Sequence, residues 1–164
     1  LGTVLSIDPG LRKCGCAIWT PDGTLLRAWT ATSKGGTRGP TAWVNMVDSI
    51  KVTQDIAVLV CEQMQVYRDK TTNADDLLEL TGLLGALTWR FKGAKLQGYK
   101  PAEWKKQTPK RVVHARLKSR LSDGELKCVQ PKATHDAWDA IGIGAFYFRK
   151  QGVERWQLRK PTKK

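Results

Sequence analysis

The chain has 164 residues, 28 Lys and Arg against 15 Asp and Glu, a formal charge of +13 and a pI near 9.9. That length suits one domain with a real hydrophobic core, and 41% apolar with 26% charged residues excludes general disorder. No apolar run approaches the roughly 20 residues that span a bilayer, and the stretch after Leu1 lacks a secretory pattern.

Thr3–Asp8 (TVLSID) reads as a buried strand that stops at the breaker Pro9-Gly10. Cys14–Thr20 is a second strand, Pro21-Asp22-Gly23 a turn, and Thr24–Thr30 a third strand, which predicts a three-stranded antiparallel meander. Ser33–Pro40 is a Gly-rich loop. Thr41–Thr53 carries Ala42, Val44, Met46, Val47 and Ile50 at helical spacing. Ile56–Cys61 (IAVLVC) is a continuous apolar run, the mark of a strand covered on both faces. Asn73–Phe91 is a long helix with Asn73 as its cap. Gly82 and Gly85 inside it each cost about 1 kcal/mol relative to Ala, which asks for a close approach, to a partner subunit or within the chain. Ala94–Tyr99 is a short strand, and Ala102–Gln107 and Arg111–Leu121 are short helices. Ala133–Phe148 is the last helix, with Thr134 as its cap. A meander followed by crossovers predicts an α/β mixed sheet with helices on its faces, forming one domain over residues 1–150. Residues 151–164 form a basic tail, read as a source of non-specific affinity or as plain disorder.

The charge is uneven. Residues 1–88 have a net charge of −1, residues 89–132 of +10, and residues 133–164 of +4. A polyanion is therefore the expected partner, and its binding field lies in the second half. Trp89, Phe91, Tyr99 and Trp104 are interleaved with those charges, which favours nucleic acid over a membrane face. The four cysteines contain no Cys-x-x-Cys pair, and Cys14, Cys16 and Cys61 lie in strand-like runs. Reduced thiols in a reducing, cytoplasmic compartment are expected, and a zinc site is not.

Four acids stand where apolar elements meet loops: Asp8, Glu62, and the pair Asp136 and Asp139 on one face of the last helix. If the first and fourth strands are parallel neighbours, Asp8 and Glu62 emerge side by side at the carboxyl ends, where α/β sheets build sites. Such a cluster repels itself unless cations neutralise it, and an all-oxygen donor set suits Mg²⁺ or Mn²⁺. Two such ions can cut a phosphodiester. Spacing alone leaves the plainer alternative of separate caps and surface acids; acids set in a polyanion-binding field favour the metal reading.

Three segments carry a resemblance. SIDPGLRKCGCAIW (Ser6–Trp19), VCEQMQVYRDKTTNADDLLELTGLLGAL (Val60–Leu87) and HDAWDAIGIGAF (His135–Phe146) resemble the site motifs of the RuvC family, Holliday junction resolvases with an RNase H-like fold. The resemblance spans about residues 3–150. It implies a five-stranded mixed sheet flanked by helices, and a metal-dependent, structure-selective DNA endonuclease. Asp8, Glu62, Asp136 and Asp139 would be the catalytic acids, holding two Mg²⁺ or Mn²⁺ ions. His135 precedes the acid pair, and some relatives use His as a ligand in this region. PAEWKKQT (Pro101–Thr108) resembles the family's DNA-contacting loop and points to Lys106, with Lys105 beside it. The family's next basic position corresponds to Lys110 or Arg111. Tyr67, in a longer loop, stands near the place of the family's aromatic wedge, and the divergence there resembles bacteriophage-type members. The implied partner is branched DNA, above all a four-way junction. Its two-fold symmetry suits a homodimer, with Asn73–Phe91 as the dimer face. An RNase H-like nuclease acting on RNA–DNA hybrids and a catalytically inactive junction-binding protein are the rivals. An actin-like ATPase would need a second lobe and phosphate-binding Gly loops, and Ser33–Pro40 fits no Walker-type pattern.

Overall fold

The computed structural model describes residues 2–33, 38–63 and 73–157. Strand β1 (Thr3–Asp8) pairs antiparallel with β2 (Lys13–Trp19), and β2 pairs antiparallel with β3 (Leu25–Thr32). Helix α1 (Gly39–Ser49) leads into β4 (Ile56–Glu62), which lies parallel to β1. Helix α2 (Ala74–Arg90) leads into β5 (Lys95–Tyr99), parallel to β4. The sheet order is β3-β2-β1-β4-β5. Among the described residues α3 (Pro101–Trp104), α4 (Lys110–Lys118), α5 (Asp123–Lys127) and α6 (His135–Lys150) follow, and a 3-10 turn, Glu154–Trp156, comes after α6. This is the mixed five-stranded sheet flanked by helices, an RNase H-like fold, that the resemblance implies. Among the described residues no helix is long and apolar enough to cross a membrane.

The period of two along the strands sorts the core into two layers. Leu5 and Ile7 join Cys16, Ile18 and Leu59 beneath α1 and α2, whose Met46, Leu83 and Leu87 are fully buried. Val4, Ala17, Trp19 and Val60 face the other way, onto Ile141 and Phe148 of α6. Ser6 shares that side. Its hydroxyl donates to the Ala140 carbonyl (2.8 Å) and accepts from Trp19 Nε1 (2.9 Å), so this buried polar group is satisfied. Asp8 and Glu62 have the same parity as Ser6 and Val60, so the strands carry both acids to the α6 side.

The start of α6 lies directly on the sheet at that point. Gly15 pairs with Asp8 across β1–β2, and a Cβ on Gly15 would come within 1.9 Å of the Asp136 carbonyl oxygen. Glycine is what lets the helix begin over the end of β1. Thr134 caps the helix, its hydroxyl accepting from Asp136 N (3.3 Å) and lying 3.0 Å from the Thr30 hydroxyl of β3.

Several expectations shift. Helix α3 ends at Trp104 rather than Gln107, because Lys106 takes a left-handed φ of 52° that no helix continues through. Helix α5 has no counterpart among the predicted elements; the Ser122–Glu125 capping box stops this five-residue helix from fraying. Gly82 makes its close approach within the chain: a Cβ there would sit 2.2 Å from the Trp43 indole of α1. Gly85 meets nothing within 4 Å among the described residues. Part of the segment read as a tail is packed, since Trp156 is 1% exposed, stands edge-on to Trp19 and donates from Nε1 to the Gly23 carbonyl (2.9 Å). All four cysteines are free, and Cys14, Cys16 and Cys61 are buried.

Candidate active site

Asp8, Glu62, Asp136 and Asp139 are brought to one end of the sheet. Asp8 ends β1, Glu62 ends the adjacent parallel β4, and the first turns of α6 carry the other two, Asp136 lying against Gly15. Burial, then the negative charges of Glu62, Asp139 and Asp136, push the Asp8 carboxyl up to about 8 against a smaller pull from Lys110. The carboxylates therefore share one electrostatic field.

Each of the other three acids has local partners. Asp139, 2% exposed, accepts from Lys110 Nζ (2.7 Å) and pairs with His114 Nε2 (2.9 Å). Glu62 accepts from Trp104 Nε1 (2.7 Å) and Lys105 Nζ (3.3 Å). Asp136 accepts from the Thr134 hydroxyl (2.6 Å) and lies 3.0 Å from His135 Nε2. Among the described residues no three His, Cys, Asp or Glu side chains close into a ready-made metal cluster. The ion pairs supply a physical reason: ammonium groups neutralise Asp139 and Glu62, and each carboxylate turns toward its own partner.

The donor set nevertheless fits a hard divalent cation. It is all oxygen, and positive charge already occupies it. The Lys110 ammonium sits against Asp139, its pKa raised despite burial by that hydrogen bond and by the charges of Asp139, Asp8 and Asp136. It stands in for a cation within the carboxylate field. Cys14 lies beneath the site, its thiol pushed up to about 12 by burial, and supplies no thiolate.

The predicted nucleic-acid contacts separate. Lys105 and Lys110 are drawn onto the acids. Lys106 and Arg111 are exposed, on the α3–α4 turn and on α4. His135 is mostly exposed and paired with Asp136. Tyr67 lies outside the described residues. Sequence reasoning missed His114 and Trp104 as partners of the acids. His114 stands four residues after Lys110, so one face of α4 presents both to Asp139. That i, i+4 spacing was the available signal. Trp104 carried none beyond its place in the PAEWKKQT segment.

No family model and no curated protein sequence matches the chain. Solved structures do. The chain is similar to Thermus thermophilus RuvC in complex with Holliday junction substrate, with a TM-score of 0.60 and 15% identity over 93% of this chain and 98% of that one. It is similar to the fowlpox virus resolvase in complex with substrate Holliday junction DNA, with a TM-score of 0.59 and 14% identity over 91% of this chain and 98% of that one. The yeast mitochondrial Holliday junction resolvase matches with a TM-score of 0.56 and 15% identity, over 93% of this chain and 78% of that one. At such identity the likeness establishes a shared fold.

Proposed function

We propose that this protein is a Mg²⁺- or Mn²⁺-dependent endonuclease that cuts branched DNA, with the four-way junction as its substrate. The observation that carries the reading is the carboxylate field around Asp8, strong enough to push that acid up to about 8 in a protein of charge +13. An acid left so unfavourably placed makes sense when a cation is to join it. The likeness to resolvases, two of them bound to Holliday junction DNA, supports the choice of substrate.

In this reading Asp8, Glu62, Asp136 and Asp139 hold the metal. Bound Mg²⁺ supplies Lewis acidity toward the attacking water and the departing 3′ oxygen of the phosphodiester. Asp8 gives up its proton as positive charge arrives. Thr134 and His135 orient Asp136 through its two oxygens. Lys105 and Lys110 are the ammonium groups at the site, and a bound strand offers them phosphate oxygens in place of the carboxylates. The start of α6 adds the partial positive charge of its free N–H groups. A homodimer would set two such sites on the two symmetric strands of a junction, and Leu78 and Trp89, 69% and 76% exposed on α2, support that helix as its face.

The test is a gel assay with Mg²⁺ on four-way, three-way, flap and RNA–DNA hybrid substrates. Preferential cutting of the four-way junction is expected, with Asp8→Asn binding it but leaving it whole. Cleavage by Asp8→Asn at the wild-type rate would sink the site assignment, and preference for the hybrid would sink the substrate.

A further inference from the structure

We propose that the cleft between the α3–α4 segment and the outer face of α6 holds one nucleotide of an unpaired DNA strand, its phosphate on Arg120 and Arg149 and its base on the apolar floor. The cleft is separate from the carboxylates and needs no metal. It measures about 280 Å³, and among the described residues its lining contains no acid. That is just below the range of small-ligand pockets, which starts at about 300 Å³, and suits a single small unit.

The chemistry of the lining points to a phosphate ester. Arg120 and Arg149 are half-buried and share the cleft with Arg116 and Lys106. Burial and the charge of Arg120 both lower the pKa of Arg149, and among the described residues no acid lines the cleft that the two guanidinium groups share. Arg120 spends one donor on the Trp156 carbonyl (3.2 Å), and its fork keeps others. An anion between the pair relieves the repulsion and takes charge-assisted hydrogen bonds from both. The floor is equally specific. Trp104, Val113, Leu117 and Ala145 give it an apolar lining, and the Phe146 face is already covered by the Arg149 guanidinium, 4.5 Å from its centroid, which holds that fork in place. An unpaired strand can turn one base into such a slot, whereas a paired strand first pays a few kcal/mol to flip it.

The cleft also adjoins the carboxylate site through one wall. Trp104 lines the cleft with its ring and donates from its Nε1 to Glu62. Lys105 lines it too and pairs with Glu62. An unpaired strand leaving a branch point would thus be gripped next to the acids.

Fluorescence anisotropy of a labelled oligothymidylate on the full chain, in EDTA, tests this without any cleavage. Failure here leaves the nuclease reading untouched, and failure of that reading leaves this one standing. Arg149→Gln is expected to weaken binding roughly tenfold, the effect of one lost charge-assisted hydrogen bond. It should also reduce the slope of log K against log salt by about 0.7, the value for one phosphate contact on a single strand. Its Tm should hold or rise, because the repulsion with Arg120 is gone. Lys51→Gln removes the same charge from an exposed residue outside the cleft lining and should change affinity by less than about twofold. Equal losses in the two variants would overturn the site in favour of a general charge field. If Arg149→Gln proves unstable, Arg149→Lys decides: weakened binding supports the fork, and wild-type binding overturns it. Displacement of the oligonucleotide by micromolar dTMP would overturn the strand in favour of a free nucleotide, and resistance to millimolar dTMP is the expected result.

Discussion

Glu125 and Asp8 are two acids withdrawn from water in opposite ways. Glu125 accepts from Leu25 N (2.8 Å), from the Ser122 N–H and hydroxyl (2.9 Å each), and from Arg155 (2.7 Å). Burial alone would push its carboxyl up, but the Arg155 guanidinium and those donors hold it down at about 2. Asp8 meets burial and three like charges instead, and stands at about 8. Among the described residues its carboxylate gains no hydrogen bond to offset them. The chain satisfies the first acid with its own atoms and ties α5, β3 and the C-terminal turn together through it. The second is left for a charge that the chain supplies only in part, through Lys110.

The largest effect is expected from Asp8→Asn. Junction cleavage should fall by about 10³-fold or more, about 4 kcal/mol in the barrier, in a gel assay with Mg²⁺. The same variant should raise the metal-free Tm at pH 7 by about 5 °C, because it removes a carboxyl that must take up a proton on folding. Glu125→Ala should do the reverse. It strands Arg155 and unties the α5 cap, costing about 3 kcal/mol in a urea titration, while cleavage per folded molecule stays unchanged.

The pH profile separates the two acids by sign. The folded-state pKa of Asp8 is raised, so the folded protein holds that proton more tightly than the unfolded chain does. Its contribution is full below about pH 4, the ordinary carboxylate value, and is lost as pH rises through about 8. The metal-free Tm should therefore decline across that window, and the decline should shrink in Asp8→Asn. Glu125 is depressed, so its contribution holds above about pH 4 and fades as pH falls toward about 2. The smallest effect is expected from Lys110→Met. With the stand-in ammonium gone, Mg²⁺ should raise the Tm by roughly 2 °C more than it does in the wild type, by scanning calorimetry.

Local chemistry made much of this visible beforehand. Pro9-Gly10 and Pro21-Asp22-Gly23 bounded the meander, the apolar run before Glu62 marked a doubly covered strand, and Asn73 and Thr134 marked helix starts that the fold uses. The four acids stood out because each interrupts an apolar element, and strand parity then carries Asp8 and Glu62 to the α6 side. What stayed hidden depends on tertiary approach. The Trp104–Glu62 and His114–Asp139 contacts join residues 42 and 25 positions apart. Gly82 reads the same whether it meets a partner or Trp43. The basic character of residues 152–164 masked Trp156, whose burial is decided by the hollow beside Trp19 and Gly23. The Lys110–Asp139 ion pair was hidden as well, because it joins α4 to α6 across 29 positions.

Whether the Asp8 cluster receives a divalent cation is decided by Mn²⁺ calorimetry at pH 7 in two buffers of different ionisation enthalpy. Binding should be accompanied by proton release, because Asp8 must lose its proton, and Asp8→Asn should lose both the release and most of the affinity. Binding without proton release, or Mn²⁺ affinity equal in the wild type and Asp8→Asn, would contradict it.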